Sequence, residues 1–229
     1  RVGLSFCPSR GCRIRQIVEV PNEVEPRFGS ALLAYAWYRS EPLPGFSGQT
    51  AMQLVSQADP VLQCGVPFMK ELVAQTGFDC VVTSLHGDQL LDTHREYGTM
   101  PANLSYGRGR PRPLFQGGAA KVVLAGLPTP QLHKLLDTRS DEVAAAGLPT
   151  DWPNFRRYYS QIRKDGFYFS NGELETTLAA IAVPLQQADG TVIGALSLVT
   201  TVQRMAVIDH AKLTPLIQRA AREISARLH

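Results

Sequence analysis

The chain has 229 residues, with 23 Lys+Arg against 20 Asp+Glu for a formal net charge of +3, and it is 44% hydrophobic and 19% charged. These values exclude a disordered or fibrous chain and suit one or two globular domains at about 150 residues each. No apolar run reaches the ~20 residues of a membrane-spanning helix, and no basic segment with an apolar stretch and small-residue cleavage site opens the sequence. The expectation is a cytoplasmic protein with no membrane partner. Cys7, Cys12, Cys64 and Cys80 are too scattered for a metal knuckle or a dense disulfide framework.

The positive charge is uneven. Arg1, Arg10, Arg13, Arg15 and Arg27 oppose only Glu19, Glu23 and Glu25, and Arg108, Arg110 and Arg112 form a second cluster. A solvated terminus is the simplest reading of the first group. Residues 13–18 suit one or two helical turns before Pro21 and Pro26 break them. Phe28–Tyr38 favours a helix that is apolar around much of its circumference, a surface that needs the protein body or another subunit against it. Pro42, Pro44 and Gly45 end it, and the domain boundary is placed there.

Helical character returns over Thr50–Thr76, with Asp59-Pro60 as an N-cap and first-turn pair and Gly77 as the C-cap. Phe78–Leu85 reads as a strand, His86–Gln89 as a turn and Leu90–Arg95 as the return strand. Asp79, Asp88, Asp92 and Glu96 read as exposed turn charges around that hairpin. Residues 101–114 suit a strand edge and a long loop, and Gly117–Leu124 a helix. Short helices follow over 128–165, the last starting at Thr150-Asp151-Trp152-Pro153 and stopping at Asp165-Gly166. Strands are expected at Phe167–Ser170, Thr177–Leu185 and Val192–Val199, with Asp189-Gly190 suggesting a type I′ turn between the last two. Leu213, Leu216, Ile217, Ala220, Ile224 and Leu228 form the apolar stripe of a final helix, whose wet face carries Lys212, Arg219, Arg222 and Arg227 and which Pro215 opens or bends. Hairpins without βαβ crossovers predict an α+β domain built on an antiparallel sheet.

The 177–199 hairpin says most about function. Ile181, Val183 and Leu185 share its bulky face, whereas Ala180, Ala182, Ala195 and Ser197 leave room on the other. A ligand fits there, and so does a closely packed helix. Gln116–Lys121 places two glycines at a helix start, where exposed N–H groups and the helix dipole suit an anion. Catalytic constellations are poor. His86, His94, His133, His210 and His229 show no metal-binding spacing, no GxSxG elbow occurs, and the apolar settings of Cys64 and Cys80 suit structural thiols. No enzyme activity, metal or cofactor is expected.

Several strings, taken in order, resemble the IclR family of bacterial transcription regulators. They are Gly65–Gly77, Arg112-Pro113-Leu114 running into Gly118–Ala125, Ile162–Phe167, Leu178–Pro184 with the Asp189-Gly190 hairpin, and Ala220–Ser225. The resemblance implies a GAF-like antiparallel sheet flanked by helices as an effector-binding domain over 46–229. A linker helix over 28–45 and a winged helix-turn-helix before it are implied as well, in a homodimer or homotetramer. It implies a small organic acid effector, an aromatic or short-chain carboxylate, in a pocket walled by Leu104, Gly118, Ala119, Ser170, Leu178, Ala180, Ser197 and Val199. Ser170 stands where relatives often carry an acid, Ala180 where a Cys is frequent, and Phe115-Gln116 where a His-Ala type pair is usual.

A winged helix-turn-helix takes about 60 residues, whereas 27 precede the linker, so an incomplete or degenerate DNA-binding unit is expected over 1–27. Residues 8–18 resemble a recognition helix, which makes Arg10, Arg13 and Arg15 the candidate contacts to operator DNA. An effector-responsive regulator of DNA binding is the leading reading. The alternative is a ligand-sensing GAF-like module that signals through a protein partner.

Overall fold

The computed structural model describes residues 40–41, 50, 60–86, 89–102 and 111–227. The segment 1–27, most of the linker expected at 28–45, and the cap expected at Asp59 lie outside the described residues. The chain divides into two compact units, Arg1–Gln63 and Cys64–His229, and nearly all described elements belong to the second.

Helix α1 (Pro60–Thr76) opens on a proline and stops where the Gly77 N–H donates to the Val73 carbonyl at 2.7 Å. Strands β1 (Asp79–His86), β2 (Gln89–Glu96) and β3 (Pro111–Arg112) follow. Next come helices α2 (Gly118–Ala125), α3 (Thr129–Thr138), α4 (Ser140–Ala145) and α5 (Trp152–Asp165). Strands β4 (Tyr168–Asn171), β5 (Leu178–Gln186) and β6 (Val192–Thr201) lead into α6 (Val202–Ala206) and α7 (His210–Ser225). The described strands form one sheet in the order β3-β2-β1-β6-β5-β4, with every pairing antiparallel. This is the α+β arrangement expected from the sequence.

Strand alternation gives the sheet two unlike faces. Val81 lies opposite Ser197, Ala182 opposite Ser197 from the other side, and Ala180 opposite Val199. This small-residue face takes helix α2, which in turn packs on α5. The other face carries Cys80, Val82, Ile181, Val183, Leu196 and Leu198, all buried, and α7 packs against β5 and β6. Helix α7 buries Leu213, Ile217, Ala220, Ala221 and Ile224, an i, i+4, i+7, i+8, i+11 stripe. Leu216, expected in that stripe, lies on its flank and is 38% exposed, while Leu228 lies outside the described residues. The helix also begins earlier than Pro215. The Asp209 carboxylate accepts the Ala211 N–H at 3.0 Å and caps it, leaving Pro215 inside the helix.

Helix α5 starts as its sequence predicts, with the Asn154 N–H donating to the Asp151 carboxylate at 3.1 Å. Bonds from Asn154 hold the Asp151 carboxyl below its usual range. The β5–β6 turn differs from the expected type I′ turn. The Gln187 N–H donates to Thr191 O and the Gly190 N–H to Gln187 O, so three residues form the loop, with Gly190 at φ 82°. The Asp189 side chain favours this form by accepting the Thr191 N–H at 2.9 Å.

The reading of Asp79, Asp92 and Glu96 as exposed turn charges is overturned, and Asp88 lies outside the described residues. Asp79 is 1% exposed and accepts hydrogen bonds from Arg95 Nη2 at 2.5 Å, Gly98 N at 2.6 Å and Ala102 N at 2.7 Å. Asp92 is 4% exposed and pairs with Arg112 at 2.6 Å. Glu96 is half-buried and meets His94 Nε2 at 2.8 Å. Asp79 is buried because Arg95 and the backbone N–H groups of Gly98 and Ala102 close on it; for Asp92 the physical reason is a β-bulge. Val82 pairs with His94 but Thr83 pairs with Asp92, so Thr93 is the extra residue. A bulge flips the side-chain alternation beyond it, turning Asp92 inward beside Thr83, where the arginines of β2 and β3 compensate the buried carboxylates.

Removing one partner of a buried pair costs about 3–5 kcal/mol. Asp79→Ala should therefore lower the unfolding free energy by roughly that amount in urea denaturation, and a loss below about 1 kcal/mol would mean that Arg95 finds water or another acceptor.

Candidate functional site

The site is built around the first turn of α2. Gly117 precedes it at φ 81°, ψ 163°, a backbone region open essentially only to glycine. At Gly118 a Cβ would come 3.2 Å from Ala182 Cβ, 3.4 Å from Ser170 Oγ and 3.4 Å from the Tyr168 carbonyl. Two residues without side chains thus let the helix start rest directly on the small face of the sheet. Every residue of α2 is buried, Lys121 included, and among the described residues no side chain caps its first-turn amides.

That burial requires polar partners, and Glu173 supplies them. Its Oε2 accepts the Gly117 N–H at 3.3 Å and Lys121 Nζ at 3.1 Å, and its Oε1 accepts the Tyr168 hydroxyl at 2.9 Å. The Tyr158 hydroxyl donates to that of Tyr168 at 2.9 Å. Burial foremost, then these bonds, push the Tyr168 hydroxyl far above its ordinary range, so it stays a donor. Lys121 Nζ also lies 5.4 Å from the Tyr168 ring centre and 5.6 Å from that of Tyr158, within cation–π range.

Between α2 and the sheet lies a small pocket of about 40 Å³, part of it open to solvent. Of the residues named from the sequence, Gly118 and Ala119 from α2, Ser170 from β4, Leu178 and Ala180 from β5, and Ser197 and Val199 from β6 all line it. Leu104, Arg10, Arg13 and Arg15 lie outside the described residues. Sequence reasoning missed Val81, Asp92, Arg112, Leu174 and Glu175, which also line the pocket. The sequence marks Arg112 as part of a charge cluster and of a string resembling the family, but not as a pocket residue, and its pairing with Asp92 depends on the bulge.

Ser197 is the telling polar group. It is 3% exposed, and its Oγ has no hydrogen-bond partner among the described residues. A buried hydroxyl left unpaired costs about 1–3 kcal/mol, so such a group facing a cavity suits a ligand that completes it. Ser170 Oγ makes only a long bond to the Ala180 carbonyl, at 3.4 Å. The pocket therefore combines uncapped helix-start amides, an incompletely satisfied pair of hydroxyls, an arginine and apolar walls.

Cys80 is buried outside this chemistry. Desolvation first, then the charges of Glu96 and Asp79, push its thiol up, as suits a structural residue. Among the described residues no cluster of His, Cys, Asp and Glu is placed to hold a metal ion. No described helix is long and apolar enough to cross a membrane.

Residues 52–226 match the family described as bacterial transcriptional regulator IclR C-terminal. The chain is 23% identical over 176 residues to the HTH-type transcriptional regulator KipR of Bacillus subtilis, covering 77% of this chain and 70% of KipR. It is 24% identical over 168 residues to the HTH-type transcriptional repressor AllR of Klebsiella pneumoniae, covering 73% of this chain and 62% of AllR. The fold is shared with the inducer-binding domain of the PobR transcription factor from Acinetobacter, solved as a double mutant with 3-hydroxybenzoic acid. The TM-score there is 0.59 at 22% identity, covering 73% of this chain and 98% of that domain.

Gly117→Ala tests the seat of α2. The strained backbone should cost about 1–3 kcal/mol, read as a lowered midpoint in chemical denaturation. An unchanged midpoint would show that the segment adopts another conformation at no cost.

Proposed function

Because the chain belongs to the IclR family of bacterial transcription regulators, we propose that it senses a small organic acid in the pocket at the start of α2 and adjusts its hold on operator DNA accordingly. The observation that carries this reading is the buried, unpartnered Ser197 hydroxyl in a cavity that also meets an uncapped helix start. A carboxylate accepts the Gly118 and Ala119 N–H groups, where the positive end of the helix dipole favours an anion. Ser170 and Ser197 offer hydroxyls to the rest of the molecule. Leu178, Ala180 and Val199, with Leu104 from the segment before β3, supply apolar walls for an aromatic ring or a short alkyl chain. The 3-hydroxybenzoic acid bound by the PobR domain has this chemistry.

The output in this reading is DNA binding in the cytoplasm by a homodimer or homotetramer. The DNA-binding segment is 1–27, with Arg10, Arg13 and Arg15 as its contacts, joined through a linker over 28–45 to an effector domain over 46–229. Occupancy of the pocket stabilises the conformation of the effector domain that the acid prefers. The assembly then shifts toward the DNA affinity which that conformation carries.

A thermal-shift titration with benzoate, 3-hydroxybenzoate and butyrate tests the sensing step. A ligand at about 100 times its Kd adds ~2.7 kcal/mol, which for a chain of this size raises Tm by roughly 5–10 °C. Ser197→Leu, which fills the pocket, should abolish the rise. The proposal fails if no acid stabilises the wild-type chain, or if Ser197→Leu responds equally.

A further inference from the structure

We propose that Arg112 reads the charge of the acid, and that Asp92 holds its guanidinium in place to do so. This rests on the reading that the pocket takes an organic acid, and it names the residue that would select acids over neutral molecules of the same shape.

Arg112 reaches the pocket from an edge strand. Across β3 and β2 it pairs with Leu90, which leaves Asp92 as its diagonal neighbour on the same face. The bulge at Val82/Thr83 puts the Asp92 carboxylate on that face. Asp92 Oδ1 accepts Arg112 Nη1 at 2.6 Å and the Thr83 hydroxyl at 2.7 Å, and Arg112 Nη1 also lies 3.3 Å from Thr83 Oγ1. The guanidinium is thereby anchored through one nitrogen in a side chain that is 11% exposed.

Its other terminal nitrogen is aimed elsewhere. Nη2 lies 3.5 Å from the position a Cβ on Gly117 would occupy, at the residue that leads into α2. A guanidinium is a flat fork of five donors, so anchoring it through Nη1 leaves an edge able to take a carboxylate oxygen. The acid that accepts the Gly118 and Ala119 N–H groups therefore sits within reach of a fixed positive charge. Asp92 and Glu175 are the acidic groups lining the pocket. The first is engaged by Arg112, and the second has an interaction of its own.

The geometry also accounts for a buried ion pair at the rim of a cavity. Such pairs contribute little stability compared with apolar packing, whereas a fixed, partly desolvated arginine gains strength for an incoming anion. A neutral amide of the same shape would forgo the charge-assisted bond, which is worth more than a neutral one. Asp92 acts here as a positioning residue, since it touches the arginine and not the acid.

The test compares benzoate and 3-hydroxybenzoate with benzamide and 3-hydroxybenzamide by isothermal titration calorimetry. The wild-type chain should bind each acid at least tenfold more tightly than its amide. Arg112→Gln should weaken the acids by tenfold or more and leave the amides within about twofold, collapsing the preference. Asp92→Asn should weaken the acids by a smaller factor, because the charge remains but its aim is lost. Acids that bind Arg112→Gln as tightly as wild type, while Ser197→Leu abolishes binding, would overturn the role of Arg112 and leave the sensing reading standing. Failure of both acids to bind the wild-type chain would overturn both. If Arg112→Gln does not fold, the Nε–H resonance of Arg112 in the wild-type chain, assigned with Arg112→Lys, gives the answer. It should shift as benzoate is added, and a resonance unmoved at saturating benzoate would overturn the proposal.

Discussion

A helix start buried flat against a sheet must find partners for N–H groups that its own backbone cannot satisfy, and much of this domain is arranged around that requirement. Gly117 and Gly118 make the approach sterically feasible, the first through its backbone angles and the second through contacts that a Cβ would crowd. Glu173 then closes one side of the helix start by accepting the Gly117 N–H together with Lys121 and Tyr168. The other side opens on the pocket. The same steric economy that brings the helix down on the sheet thus leaves a small, polar-floored space where an anion would complete the hydrogen bonding.

The sheet serves this arrangement through its asymmetry. Its bulky face packs against α7, whereas the small face leaves a cavity beside α2. The cost of Ala180, Ala182 and Ser197 on that face is lost apolar contact. Buried ionic contacts cluster on the same side, with Asp79–Arg95, Asp92–Arg112 and Lys121–Glu173 lying around the α2 face. Such pairs fix geometry more reliably than they add stability, and that suits a wall that has to hold donors in defined positions.

What was legible in the sequence follows from the reach of each signal. Alternation is local, so the small face of the β5–β6 hairpin and the pocket wall from Leu178 to Val199 could be read directly, as could the Asp151 cap of α5. Two glycines before Ala119 marked the helix start. Asp92 and Arg112 were misjudged because one extra residue at Thr93 reverses the alternation, and nothing in the local sequence marks that slip. Lys121 and Glu173 escaped notice for a different reason: a lysine is expected in water, and its partner arrives only when β4 folds back beside α2. The β5–β6 loop gained a residue because the Asp189 side chain satisfies the Thr191 N–H in a way that a pattern of Asp-Gly does not specify. The unexpected features are therefore long-range polar contacts, which depend on tertiary geometry.

The central claim is that the amides at the start of α2 receive the carboxylate of a small acid. Backbone 1H–15N resonances of Gly118 and Ala119, followed while 3-hydroxybenzoate is added, test it most directly. The account predicts that these two resonances move among the most of any in the domain and saturate together with that of Ser197. Saturable binding of the acid with Gly118 and Ala119 unmoved, and the shifts gathered on another part of the domain, would contradict it.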